Sequence, residues 1–140
     1  VSSSISDAPA APGLPDIDRF YEMAETARAA LPARVADLAG EVVLQIVDWP
    51  PDDVLRDMDI DDPYDLTGLY DGVPLTEKSF IEQPFGPDII WLFRAPILDE
   101  WQARGDVSLE RLVGHVYVHE LAHHFGWSDD DIAQIDRWWE

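Results

Sequence analysis

Ser108-Leu109-Glu110-Arg111-Leu112-Val113-Gly114-His115-Val116-Tyr117-Val118-His119-Glu120-Leu121-Ala122-His123-His124-Phe125-Gly126 reads as one helix with its start and stop signals attached. Ser108 is an N-cap residue and Glu110 puts an acid in the first turn, where it meets the positive end of the helix dipole. Leu109, Leu112, Val113, Val116 and Leu121 recur at three- and four-residue spacings, which lines up one apolar face. Gly126 tolerates the left-handed conformation that closes a helix. The pattern predicts a helix over Leu109–Phe125.

This helix carries His119-Glu120-Leu121-Ala122-His123, the pattern H-E-x-x-H. Positions i and i+4 lie on one face about 6 Å apart along the axis, so two imidazoles can converge on one Zn²⁺. Glu120 sits roughly 100° round from His119, where its carboxylate can reach a metal-activated water without being a required ligand. Zinc lowers the pKa of such a water to about 7, and a carboxylate beside it can take the proton and later return it to a leaving amine. A catalytic zinc keeps a third protein ligand, and Gly126 lets the chain turn back toward the helix face. Asp129 is then the nearest oxygen donor. Ser128-Asp129-Asp130-Asp131 also reads as the start of a last helix, with Ser128 as N-cap, so ligation and capping both stand for Asp129.

The other two histidines fit less well. His115 pairs with His119 at i, i+4 but is followed by Val116, so no base adjoins it, and it lies about 12 Å along the axis from His123. A packed role is the simpler reading. His124 is turned about 100° from His123 and faces elsewhere.

The segment from Val118 to Ile132, with H-E-x-x-H-x-x-G-x-x-D at its centre, resembles the small bacterial zincin-like proteins, a zinc metallopeptidase family with a minimal zincin fold. The likeness extends more loosely over Leu69–Leu75 and Pro87–Phe93. The resemblance implies zinc held by His119, His123 and Asp129, with Glu120 as the general base. The string is also similar to the larger metzincins, whose third ligand is usually histidine and which carry a methionine-containing turn after the motif. Here the third position is aspartate, and Met23 and Met58 both lie upstream.

The chain has 140 residues, 46% of them hydrophobic, with six tryptophans, which is enough to bury one core. Residues 1–15, rich in Ser, Ala and Pro, read as a disordered leader, without the basic and apolar regions of a signal peptide. Residues 16–140 read as a single zincin-like domain. No stretch approaches a membrane span. The absence of cysteine agrees with a cytoplasmic protein. With 29 acids against nine bases the net charge is −20. That surface repels phosphate backbones and anionic lipids, which argues against nucleic-acid or membrane partners, and around a metal it favours cationic, basic or unfolded peptide segments.

Ile17, Phe20, Tyr21, Ala24, Ala27 and Leu31 predict a first helix behind Asp16, ending near Pro32, with a helical turn over Ala33–Ala39. Glu41–Trp49 is a β-rich run stopped by Pro50-Pro51. Seven aspartates crowd residues 52–65. Val54, Leu55 and Met58 anchor at most one helical turn there, and the run lacks the glycine and glutamate of a calcium loop at their spacing. Asp71-Gly72 between Leu69-Tyr70 and Val73-Pro74-Leu75 signals a hairpin whose second arm is an edge. Ile89–Arg94 is apolar at nearly every position and predicts a strand covered on both faces, ended by Pro96. A short helix follows over Ile97–Arg104, and Ile132, Ile135 and Trp138 or Trp139 line a last helix.

These elements predict an α+β fold: a small mixed or antiparallel sheet of three or four strands, packed on the first helix and the motif helix. The resemblance implies that substrate adds as an extended strand at a sheet edge, either the strand just before the motif helix or the hairpin arm. Tyr70 and Arg94 are weak candidates for a transition-state donor. The function expected is zinc-dependent peptide-bond hydrolysis. The alternative is a zinc-bearing, non-catalytic module that binds a cationic partner, which would have no need of Glu120.

Overall fold

The computed structural model describes residues 13–72 and 88–126. The second arm of the expected hairpin, Ser128, Asp129 and the last helix lie outside them. Among the described residues there are five α-helices, one 3-10 turn and three strands.

Helix α1 (Ile17–Ala30) begins at Asp16, whose carboxylate accepts the Arg19 N–H at 2.9 Å. It buries Phe20, Met23, Ala24 and Ala27, the i, i+3, i+4 stripe seen in the sequence. After the short α2 (Ala33–Ala39), the chain enters β1 (Val43–Val47), and α3 (Asp52–Asp57) follows Pro51. A 3-10 turn (Pro63–Asp65) leads into β2 (Gly68–Asp71). Strand β3 (Ile89–Phe93) runs directly into α4 (Arg94–Arg104), and α5 (Leu109–Phe125) is the motif helix.

The sheet order is β1-β3-β2, with β3 parallel to β1 and antiparallel to β2. Among the described residues it is therefore mixed and three-stranded. Strand β3 is central, and successive side chains alternate faces. Ile90 and Leu92 enter the main core with Phe20, Ile46, Leu112 and Leu121, while Phe93 joins Leu55 and Leu66 on the other face, with Trp91 and Leu69 against them. That two-sided burial is why the strand reads as an unbroken apolar run. The expectation that it offers a free edge is corrected: β3 has a strand on each side, and among the described residues β2 is the edge beside the motif helix.

Helix α4 starts three residues earlier than expected. Pro96 lies in its first turn, where a missing N–H costs no intrahelical bond, so this proline belongs to the start of the helix rather than to a stop after β3. Met58 also departs from its expected anchoring role. Leu55 is buried, but Met58 is 44% exposed at the C-cap of α3.

Helix α5 packs on α1 and on β2 and β3. Tyr21 of α1 accepts the Ile46 N–H of β1 through its hydroxyl at 3.0 Å, tying the helical layer to the sheet. Arg94 is 3% exposed and holds three segments together: it donates to Asp48 at 3.1 Å and to the carbonyls of Pro15 and Leu14 at 2.7 and 3.3 Å.

Candidate metal centre

Helix α5 is built as its sequence predicts. Ser108 Oγ accepts the Arg111 N–H at 3.1 Å, and Gly126 closes the helix at φ 71°, donating to the carbonyls of Ala122 and His123. The buried stripe of α5 faces the core, which leaves His119, Glu120 and His123 on the side that looks past β2. The His119 and His123 rings lie 5.1 Å apart at an interplanar angle of 81°. One ligand atom from each of His119, Glu120 and His123 falls within 4.8 Å of the other two. Two imidazole nitrogens and a carboxylate oxygen gathered this closely suit a divalent transition metal, and zinc in particular.

His115 stacks on His119 at 6.4 Å, interplanar angle 27°, and is not part of that group. His124 is buried and turned the other way, to Asp88. Asp129 lies outside the described residues.

The strand beside the motif explains the environment of Glu120. Phe93 donates its N–H to the Thr67 carbonyl at 2.9 Å, and the register then pairs Gly68 with Leu92 and Tyr70 with Ile90. Antiparallel pairs alternate between bonded and non-bonded, so the main-chain groups of Gly68 and Tyr70 point away from β3. They point to the motif helix, where the Tyr70 main-chain N–H faces the Glu120 carboxylate. Burial pushes the Glu120 carboxyl up to about 7, and the Tyr70 N–H opposes that rise.

Gly68 is what brings strand and helix so close. A Cβ there would stand 2.7 Å from Val116 Cγ1 and 3.3 Å from both Glu120 Cγ and the Trp91 carbonyl oxygen. Val116 is β-branched and stiff in a helix, so the strand would have to yield. Gly68→Ala is expected to lower unfolding stability by about 1–3 kcal/mol, the usual cost of overpacking. Urea denaturation measures it, and a wild-type midpoint would show that the strand moves freely.

A cleft of about 510 Å³ opens at this junction. Met58, Leu66 and Leu69 give it an apolar lining, Gly68, Tyr70 and Gly72 bring in β2, and Glu120 and His123 supply the motif. Of the two donors considered from sequence, Tyr70 lines this cleft but its hydroxyl donates to Asp88 at 2.6 Å, and Arg94 is engaged by Asp48 and the Leu14 and Pro15 carbonyls. Sequence reasoning missed Gly68 and the apolar lining. A glycine inside a strand pattern does signal close backbone approach. Nothing comparable marks Met58 and Leu66, since only the folded chain brings them to Glu120.

No helix among the described residues is long and apolar enough to cross a membrane. A family model described as zincin-like metallopeptidase matches residues 39–139, which includes all three strands and the motif helix. No curated protein matches the chain.

Proposed function

We propose that this chain, which belongs to the zincin-like metallopeptidase family, is a zinc-dependent peptidase acting on extended, basic segments of peptide or unfolded protein. The observation that carries this reading is the gathering of His119, Glu120 and His123 within 4.8 Å, beside the outward edge of β2. His119 and His123 would hold the ion, with Asp129 as third ligand. Bound zinc supplies Lewis acidity, bringing the pKa of a water near 7 and polarising a carbonyl. Glu120 accepts the proton of the attacking water and hands it to the leaving amine. Its place beside the two histidines supports that role, because it puts a carboxylate within reach of a water on the ion.

Substrate binds by adding a strand to β2, bonding to the outward main-chain groups of Gly68 and Tyr70. The Tyr70 N–H faces the Glu120 carboxylate, so a substrate strand that joins β2 lies beside the base. Met58, Leu66 and Leu69 receive an apolar side chain of the peptide. Asp57, Asp59, Asp61 and Asp65 are exposed on the segment that carries Met58 and Leu66, which favours lysine or arginine nearby. The cysteine-free composition suits a reducing compartment, and we place the protein in the cytoplasm.

Digestion of a broad peptide library by the zinc-loaded protein tests the function. Cleavage at basic segments, lost on chelation and restored by Zn²⁺, is the expected result. A fully loaded protein that cleaves nothing would instead be the zinc-bearing binding module.

For the third ligand, Asp129→Asn is expected to lower zinc affinity about tenfold or more, while Ser128→Ala costs roughly 1 kcal/mol of stability with little change in affinity. Metal titration of both variants separates ligation from capping. Unchanged affinity in Asp129→Asn would leave Asp129 with the capping role alone.

A further inference from the structure

Asp88 stands one residue before β3, 7% exposed, and the proposed chemistry makes no use of it. Its Oδ2 accepts the Tyr70 hydroxyl at 2.6 Å and the His124 Nδ1–H at 2.6 Å, and those two donors lie 3.4 Å from each other. A carboxylate oxygen only accepts, so Nδ1 is the nitrogen of His124 that carries hydrogen in this contact. The chain makes room for the cluster at Gly72, where a Cβ would fall 2.6 Å from Asp88 Cγ and Oδ1. Burying a carboxylate with an imidazole is costly unless both are well bonded, and an apolar trio would fill the same space without that cost.

The placement of the two donors gives the cluster a purpose. Tyr70 stands two residues after Gly68, where a Cβ would lie 3.3 Å from Glu120 Cγ, its main-chain N–H turns from β3 to the same helix, and His124 directly follows His123. Strand β2 is short, four residues, and among the described residues it pairs with β3 alone. A misplacement of about 1 Å at a reacting group can cost 10²-fold in rate. Asp88 joins β2, the start of β3 and the last turn of α5 at a single oxygen.

We propose that Tyr70, Asp88 and His124 form a positioning clamp that fixes β2 against the motif helix and so keeps the Tyr70 N–H aiming the Glu120 carboxylate. The proposal rests on Glu120 being the general base. Tyr70, Asp88 and His124 are positioning residues, acting through Glu120 and the strand that substrate joins.

Tyr70→Phe removes one bond to Asp88 and keeps the ring and the main-chain N–H, and Asp88→Asn keeps the shape of the acceptor. In the zinc-loaded protein both are expected to keep one zinc per chain and to lower kcat about tenfold with KM little changed, the scale of one buried hydrogen bond. In a Glu120→Gln background, Tyr70→Phe should cause no further loss, because the residue it positions is gone. A full tenfold loss in that background overturns the proposal. Amide hydrogen exchange on the metal-free protein reads the clamp without any activity. Exchange at the Tyr70 N–H should quicken about tenfold in Tyr70→Phe while the amides of β1 keep their rates. An unchanged Tyr70 amide overturns the clamp, even if the wild type cleaves no peptide and the peptidase reading fails on its own.

Discussion

His119→Ala and His123→Ala are each expected to lower zinc affinity by more than about 100-fold, well beyond the tenfold to 100-fold lost when an outer partner of a metal ligand is removed. Each variant deletes a nitrogen donor from the group whose ligand atoms lie within 4.8 Å, and no neighbour can replace it. His115 is the nearest substitute by sequence. It stacks almost parallel on His119 at 6.4 Å, one turn further from His123, so it meets the ion only if the helix unwinds. His124 is no substitute either, because it is buried and turned to Asp88, away from this group. His115→Ala should therefore keep most of the affinity and the stoichiometry of one zinc per chain. Titration against a chromophoric chelator measures all three variants. Equal losses from His115→Ala and His123→Ala would overturn this set of ligands.

The site was largely legible in the sequence because its main residues sit on one helix, and a helix is local. Ser108, the apolar spacing and Gly126 set the bounds Leu109–Phe125, and those bounds fix which side chains share a face. The strands were legible as to where they lie, less so as to their ends. The β-rich run Glu41–Trp49 exceeds β1 (Val43–Val47) because pairing stops where the five residues of β3 run out, and no propensity at residues 41–49 encodes that. Strand order is still less local. Ile89–Phe93 and the hairpin arm are both candidates for the edge by sequence, and the β1-β3-β2 order puts the first in the centre, while the second arm of the hairpin lies outside the described residues. The Asp88 cluster is the extreme case: its partners lie 18 residues before it and 36 after, and each of the three reads alone as an ordinary polar residue.

Glu120→Gln should lower hydrolysis of a cleavable basic peptide by at least about 10²-fold, the scale of losing a positioned general base, while zinc content holds. Glutamine keeps the shape and can still accept the Tyr70 N–H through its amide oxygen, so the strand and the two histidines stay in place. Stability responds in a way that sequence alone does not suggest. In the metal-free protein, burial raises the carboxyl from 4.5 to about 7, so between those values the native state holds a proton that the unfolded chain has released. Stability contributed by the protonated carboxyl is full below pH 4.5 and is lost as pH rises to about 7, after which the difference is constant. Glutamine never ionises and escapes this loss. The metal-free Glu120→Gln protein should accordingly exceed wild type by about 2–3 kcal/mol at pH 8 and nearly match it at pH 4.5. With zinc bound the gap should narrow, since a nearby cation favours the carboxylate. Urea unfolding at the two pH values, with and without chelator, reads these differences. A gap that is the same at pH 4.5 and pH 8 would mean that Glu120 is well solvated, and with it would go the argument that burial raises its carboxyl.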